Sequence, residues 1–238
     1  MTNQQIQESI QSILGVKKEL VGIKAWKQVP ENIPKYEGKA FPGMCAQIGE
    51  VLKNGGTFHT DKENHYCTGG VVATGVVPHI SKEESINIMK MHIKMTKDHP
   101  DLDTASHYRD EMEKLIPPVE EKNAVAQVGL FKDMEAPDIV LLFCTPGAAD
   151  IINRTFSYVT GEPIQGFGGN GGCPFVIQYP FVTKKPSFTY SDISWRKFVG
   201  LNDDELTISF PYPSLLKIVE SLPIVAEEYR KYGEGMMS

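Results

Sequence analysis

The sequence contains little cysteine and no excess of basic residues. Its 238 residues include four Cys, and 24 Lys and Arg stand against 30 Asp and Glu, which gives a formal net charge of −6. A disulfide scaffold packs its cysteines far more densely than this. Binding nucleic acid through its phosphates needs clustered Lys and Arg, and no such stripe occurs. The composition therefore argues against both classes of protein.

Long apolar runs are also missing. The longest, at residues 139–144, has the length of a strand, and the polar, amphipathic residues 1–14 lack the apolar segment of a signal peptide. We expect neither a membrane span nor a membrane partner, and we predict a cytoplasmic protein with reduced thiols. Because 41% of the residues are hydrophobic, the chain can form a sizeable core.

The hydrophobic periodicity, together with Gly and Pro residues that mark the ends of elements, predicts a mixed α/β fold. Ser81 and Glu84 have the spacing of a capping box, which predicts the start of a helix. Helices are expected at 4–18, from about 46, at 82–98, 104–116, 146–159 and 214–232, and strands at 20–26, 125–131 and 138–144. Residues 57–67 are expected to form a polar loop, residues 162–212 short strands, and residues 69–77 either a strand or a helix of small residues. We predict a single domain, 1–238, with possible pseudo-repeated halves, 1–122 and 123–238, around a central cleft.

Three of the four cysteines follow or adjoin loops rich in Gly or Pro. Cys45 and Cys173 are expected just before helical segments, where the helix dipole favours the thiolate, and Cys67 has His65 two residues before it. Thiolates and a nearby imidazole can hold zinc or an iron–sulfur cluster. No C-x-x-C spacing occurs, and the competing interpretation is that each cysteine is a small buried apolar residue. Cys144, at the end of an apolar strand, is interpreted as a core residue.

The most conspicuous local feature is the glycine-rich run from Gly166 to Cys173. It contains a formal G-x-G-x-x-G, but the residues before it make a poor strand, so we do not interpret it as a dinucleotide site. Glycine permits close approach of the backbone, so the N–H groups here could contact a cofactor or a ligand. The candidate cofactor-binding residues are Gly168, Gly169, Gly171 and Gly172. A flexible loop is the alternative.

Two histidines, His59 and His65, bracket the polar segment that ends at Cys67. They are not in a metal-binding spacing such as H-E-x-x-H. We expect them to be solvated, although a position beside Cys67 would bring them to a site there.

Several segments in combination resemble a known family. They are VGIKAW, PGMCAQIGEVLKNG, HYCTGGVVATGV, PDIVLLF, GGNGGC and DDELTISFPYPSLLKIVESLP. Together they resemble a bacterial and archaeal family catalogued as domain of unknown function 169, over about residues 8–225. The resemblance implies a prokaryotic intracellular protein with no established activity, in which the positions of Cys45, Cys67 and Cys173 are often cysteine. In many members another cysteine lies near the position of Trp195, so the departure here puts a symmetric ligand set in doubt.

The resulting hypothesis is a protein that binds a redox or metal-containing cofactor in a cleft. An iron–sulfur cluster or a thiolate-held metal would be ligated by Cys45, Cys67 and Cys173. The competing hypothesis is a cofactor-free protein whose glycine-rich loop binds an anionic small molecule or a partner. If the three sulfurs lie far apart in the fold, the metal hypothesis fails.

Overall fold

The structure is a computed structural model that describes residues 1–38, 43–78 and 80–234. The helices in this part of the chain are α1 (Asn3–Leu14), α2 (Met44–Asn54), α3 (Gly69–Ala73), α4 (Lys82–Met95), α5 (Leu102–Leu115), α6 (Pro146–Thr160), α7 (Tyr179–Thr183), α8 (Ile193–Val199), α9 (Tyr212–Val219) and α10 (Leu222–Glu234). The strands are β1 (Val21–Trp26), β2 (Thr57–Thr60), β3 (Val125–Leu130), β4 (Ile139–Cys144), β5 (Gln165–Phe167), β6 (Ser187–Thr189) and β7 (Leu206–Pro211). The predicted mixed α/β class is confirmed.

These strands form one sheet in the order β2-β3-β1-β4-β7-β6-β5. Neighbouring strands are antiparallel except for β5 and β6, which pair in parallel. β3 comes from the second half of the chain and lies between β2 and β1 from the first half. Segments distant in sequence therefore share one sheet.

The central strand β4 is buried along its whole length. Its side chains alternate between two hydrophobic clusters, with Val140, Leu142 and Cys144 in one cluster and Ile139, Leu141 and Phe143 in the other. We call these the first and second core. Residues of α1, α6, α9 and α10 belong to the first core, and residues of α2, α3 and α8 belong to the second. Helices thus cover both faces of the sheet, as expected for a strand apolar on both sides.

Local sequence signals place several helix ends correctly. The Ser81 hydroxyl accepts a hydrogen bond from the Glu84 backbone N–H at 3.1 Å, and α4 begins at the next residue, as the capping box predicts. Thr145 caps α6 in the same way, and Gly161 ends it in the left-handed conformation with φ 73°. The ambiguous segment 69–77 begins with the short helix α3.

Two segments differ from the sequence-based expectation. The polar stretch 57–67 contains β2 and a 3₁₀ turn at Lys62–Asn64, because β2 gains ladder hydrogen bonds from β3. The stretch 162–212 contains α7, α8 and a π-helical turn at Pro174–Gln178 as well as short strands. Phe175, Val176 and Ile177 in that turn are buried in the second core, so tertiary packing stabilises a conformation that local propensity does not favour.

None of the helices in the described ranges is both long and apolar enough to cross a membrane.

Two glycines allow helices to pack closely at the second core. A Cβ atom at Gly70 of α3 would lie 2.4 Å from the Met44 Cβ of α2. A Cβ atom at Gly49 of α2 would lie 1.9 Å from the carbonyl oxygen of Phe198 in α8. Both distances are shorter than any contact that a Cβ atom makes with a non-bonded heavy atom. The absence of a side chain at these positions therefore sets the separations of α2 from α3 and from α8.

We expect Gly49→Ala to destabilise the protein, because the new methyl group must push the α8 backbone away. Overpacking of this kind costs about 1–3 kcal/mol of unfolding free energy. The matched control is Gly147→Ala in α6, where a Cβ atom would meet nothing within 4 Å. A stabilisation of about 0.4–1 kcal/mol is expected there, because Ala has less backbone freedom than Gly to lose on folding. Denaturant unfolding measures both. Equal stabilities of the two variants would contradict the close approach of α2 and α8.

Candidate functional site

The three cysteines proposed as ligands come from three separate segments. Cys45 is the second residue of α2, Cys67 lies just before α3, and Cys173 immediately precedes the π-helical turn. All three are partly buried, and Cys45 and Cys173 pack against the second core. Cys144 belongs to the first core, on the opposite face of the sheet. The sequence-based distinction between Cys144 and the other three cysteines therefore has a structural counterpart.

Two glycines mark where these cysteines meet. A Cβ atom at Gly69 would lie 3.7 Å from the Cys67 Sγ and 3.9 Å from the Cys173 Sγ. These two sulfurs are therefore no farther apart than the sum of those distances. A Cβ atom at Gly43 would lie 3.4 Å from the Cys67 Cβ and 3.6 Å from the Cys45 Sγ. The three side chains thus converge around Cys67, and we call them the thiol cluster.

The thiols of this cluster are difficult to ionise. Burial raises the pKa of Cys45 to about 12, with smaller contributions from Cys67 and from the Asp192 carboxylate. Burial also raises the pKa of Cys67 and raises that of Cys173 well above its usual value. The backbone N–H groups at the start of α2 lower the pKa of Cys45, as its position at a helix N-terminus predicts, but burial raises this pKa by more. The thiols by themselves are neutral at pH 7.

Asp192 supplies a negative charge beside the cluster and is the residue that sequence reasoning missed. Its Oδ2 accepts a hydrogen bond from the Gly172 N–H at 2.8 Å, and its Oδ1 accepts one from the Trp195 N–H at 2.7 Å. It is the N-cap of α8, so it joins the Cys173 loop to that helix. Its charge raises the pKa of all three cysteines, although by less than burial does. For Cys45 and Cys173, the neighbouring thiols also raise the pKa more than Asp192 does. The signal available in the sequence was an Asp just before an apolar helical segment.

Trp195 occupies the space next to Gly172. It is 1% exposed, and a Cβ atom at Gly172 would lie 2.3 Å from its indole Cε3. Its Nε1 donates a hydrogen bond to the Thr207 hydroxyl at 3.0 Å. Trp195 therefore packs against Gly172, the residue before Cys173. The family resemblance implies a further cysteine near the position of Trp195.

The four candidate glycines of the loop have different environments. Gly168 is exposed, Gly169 lies against Tyr108, and Gly171 lies beside Met112 and Pro174. Gly172 is buried, and its N–H group already has the Asp192 carboxylate as its acceptor. The short edge strand β5 precedes this loop and a π-helical turn follows it, so the loop lacks the strand-to-helix setting of a dinucleotide fingerprint.

The expectation that His59 and His65 are solvated is wrong. They are 7% and 8% exposed, respectively. His59 Nδ1 bonds to the Ile33 carbonyl at 2.8 Å, and His65 Nε2 lies 2.9 Å from the Thr60 hydroxyl. Burial lowers the pKa of His65 to about 4, against smaller opposing effects of the Cys67 backbone and Asp61. Pairing of β2 with β3 is a tertiary interaction that the polar composition of this segment did not reveal.

The buried polar group around His65 is incompletely satisfied. Gln47 Nε2 lies 3.4 Å from His65 Nε2, while Gln47 Oε1 and His65 Nδ1 have no hydrogen-bonding partner among the described residues. Gln47 is two residues after Cys45, and His65 is two residues before Cys67. Both side chains therefore lie close in sequence to the thiol cluster.

Within the ranges that the structure describes, no three His, Cys, Asp or Glu side chains are already arranged to hold a metal ion. The thiol cluster is thus a convergence of residues and not a preformed coordination sphere. Its thiol side chains would have to reorient to share one ion.

The fold and the site define a mixed α/β protein with three partly buried cysteines on one face of its sheet. The sequence profile of the family of domain of unknown function 169, described as uncharacterised ArCR, matches residues 9–221. The chain belongs to this family, as the sequence resemblance indicated.

A curated relative is similar over nearly the whole chain. An uncharacterized protein of Methanocaldococcus jannaschii is 23% identical over 221 residues, which cover 90% of this chain and 91% of that protein. No solved structure matches the chain.

The low pKa of His65 predicts a loss of stability in mild acid. Its pKa is about 4 in the folded protein and 6.5 when unperturbed, so the unfolded chain takes up a proton first as the pH falls. Stability is then lost between about pH 6.5 and 4, by about 3 kcal/mol at most. We expect the wild type to lose about 2 kcal/mol more unfolding free energy than His65→Gln between about pH 7.5 and 4.5. Urea unfolding at the two pH values measures this, and equal losses would contradict it.

Proposed function

We propose that Cys45, Cys67 and Cys173 bind a metal ion or an iron–sulfur cluster through their thiolates. The observation that carries the proposal is that these residues, from three distant segments, meet around Gly43 and Gly69. Cysteines that only fill a core need not adjoin one another. A redox or metal-containing cofactor is the ligand that three convergent thiols fit best.

Charge supports a cationic occupant. Without a bound cation, three thiolates beside the Asp192 carboxylate would repel one another and would not form at pH 7. Burial already raises the pKa of Cys45 to about 12. A bound metal removes the thiol protons and compensates the negative charge. Asp192 would hold the loop before Cys173 in place, because its two oxygens accept hydrogen bonds from the Gly172 and Trp195 N–H groups.

Space supports the same proposal. The missing side chain at Gly69 leaves room beside the sulfurs of Cys67 and Cys173. The sulfurs belong to three different segments, so a shared ion would require their side chains to rotate about the Cα–Cβ bonds.

The number of ligands limits the chemistry. Three cysteines leave one position of a tetrahedral ion, or one iron of a four-iron cluster, without a thiolate from this set. A group bound in this way supplies either electron transfer or Lewis acidity at its remaining position. Thiols kept reduced for this purpose are consistent with a cytoplasmic location.

The test is anaerobic purification followed by metal analysis and absorption spectroscopy, before and after incubation with Fe²⁺ and sulfide or with Zn²⁺. We expect stoichiometric metal, with visible absorption if the group contains iron and sulfide. Cys45→Ala, Cys67→Ala and Cys173→Ala should each lower bound metal at least about tenfold. Cys144→Ala is the matched control, because this thiol lies on the other face of the sheet, and it should retain the metal.

Two outcomes would overturn the proposal. One is a folded wild-type protein that takes up neither iron nor zinc under these conditions. The other is equal metal content in all four variants, which would show binding elsewhere. Thermal unfolding of each variant separates loss of metal from loss of the fold.

A further inference from the structure

Two buried polar side chains beside the thiol cluster have incomplete hydrogen bonding. Gln47 is 0% exposed and His65 is 8% exposed. Gln47 Oε1 and His65 Nδ1 have no hydrogen-bonding partner among the described residues. Buried polar atoms in folded proteins nearly always have a partner. Two such atoms on neighbouring side chains therefore indicate a bound group that the surrounding side chains do not supply.

This pair lies on the face of α2 that carries the thiol cluster. The Gln47 N–H donates to the Gly43 carbonyl at 3.1 Å, so the two residues are one helical turn apart on the same face. A Cβ atom at Gly43 would lie 3.4 Å from Cys67 Cβ and 3.6 Å from Cys45 Sγ. Helical side chains lean toward the start of their helix, and Gln47 Nε2 lies 3.4 Å from His65 Nε2. The pair is therefore about one helical turn from these two cysteines.

The chain between His65 and Cys67 places both side chains on the same side. His65 has an extended backbone, with φ −115° and ψ 114°. The next residue, Tyr66, is 63% exposed, whereas His65 is buried and Cys67 is partly buried. Successive side chains of an extended segment point to opposite sides. His65 and Cys67 therefore both point inward.

The hydrogen bonds of His65 leave Nδ1 as the nitrogen with a lone pair. The Thr60 hydroxyl gives its only hydrogen to the Ala126 carbonyl at 3.4 Å, so it accepts one from His65 Nε2 at 2.9 Å. A neutral imidazole has a single N–H group, which is then the one on Nε2. Gln47 can turn its Oε1 toward the same N–H by a half-turn of its amide. An imidazole nitrogen with a lone pair is the form that binds a metal ion.

We infer that His65 Nδ1 supplies the fourth ligand of a metal ion held by the thiol cluster. The inference rests on the proposed function and narrows it to a single tetrahedral ion of the Zn²⁺ type, with three sulfurs and one nitrogen and no open position. On binding, the three thiols release their protons to solvent, and the neutral imidazole binds through its lone pair without releasing one. Thr60 would orient the ring through Nε2. Among the described residues these side chains are not already arranged around an ion, so they must rotate to share it.

The test compares His65→Gln with His59→Gln in the reduced full chain. Gln keeps a polar atom near the place of Nε2 and has none at the place of Nδ1. His59 is the matched control, because it is 7% exposed and its Nδ1 already bonds to the Ile33 carbonyl. We expect His65→Gln to lower the affinity for Zn²⁺ at least about tenfold, measured by competition with a chelator. His59→Gln should bind Zn²⁺ like the wild type.

Two further measurements report the ligands directly. Co²⁺ in place of Zn²⁺ should give thiolate-to-metal absorption in the wild type and in both variants, because the three sulfurs remain. ¹⁵N NMR of the wild type should show the His65 Nδ1 signal shifting to that of a metal-bound nitrogen when Zn²⁺ is added, with the proton retained on Nε2. The NMR measurement needs no variant, so it applies even if His65→Gln does not fold.

The outcomes separate this inference from the proposed function. Absence of thiolate-to-Co²⁺ absorption in the wild type would overturn both. If that absorption is present, either of two results would overturn the inference alone. One is equal Zn²⁺ affinities of folded His65→Gln and His59→Gln, and the other is a His65 Nδ1 signal that Zn²⁺ leaves unchanged. The fourth position would then belong to water or another ligand, and binding by the three thiolates would stand.

Discussion

Burial of β4 on both faces is the constraint on which the rest of this structure depends. Its six residues alternate between two cores, so helices must cover each side of the sheet. An apolar strand of this kind cannot lie at a solvated surface without losing hydrophobic stabilisation. The same alternation assigns Cys144 to the first core. It separates that thiol from the three that converge on the other face.

The thiol cluster depends on helix packing around the second core. Gly70 brings α3 against Met44 of α2, and this contact places the segment after Cys67 beside the residue before Cys45. Asp192 then joins the loop before Cys173 to α8, which Gly49 holds close to α2. Backbone approach permitted by glycine thus connects the three segments of the cluster. The chemistry of the sulfurs follows from this packing, because burial determines their protonation.

The two ends of the glycine-rich loop have different environments. Its end at Gly172 is buried, hydrogen-bonded to a carboxylate and adjacent in sequence to a thiol. Its beginning at Gly168 is exposed. A side chain is excluded at Gly172, where a Cβ atom would lie 2.3 Å from the Trp195 indole, whereas a Cβ atom at Gly168 would meet nothing within 4 Å. The glycines of this loop are therefore explained by the residues that pack against them and not by the nucleotide-binding pattern that the sequence formally matches.

Local signals in the sequence determined the mixed α/β class, the caps at Ser81 and Thr145, the strands β1, β3 and β4, and the separation of Cys144, at the end of an apolar strand, from the other three cysteines. These features depend on residues a few positions apart. Tertiary structure alone decided the pairing of β2 with β3, the burial of His65, the π-helical turn after Cys173 and the role of Asp192. It also decided that Cys45, Cys67 and Cys173 meet. Contacts between distant segments arise when the chain packs its apolar surfaces together, and no local pattern specifies which segments become neighbours.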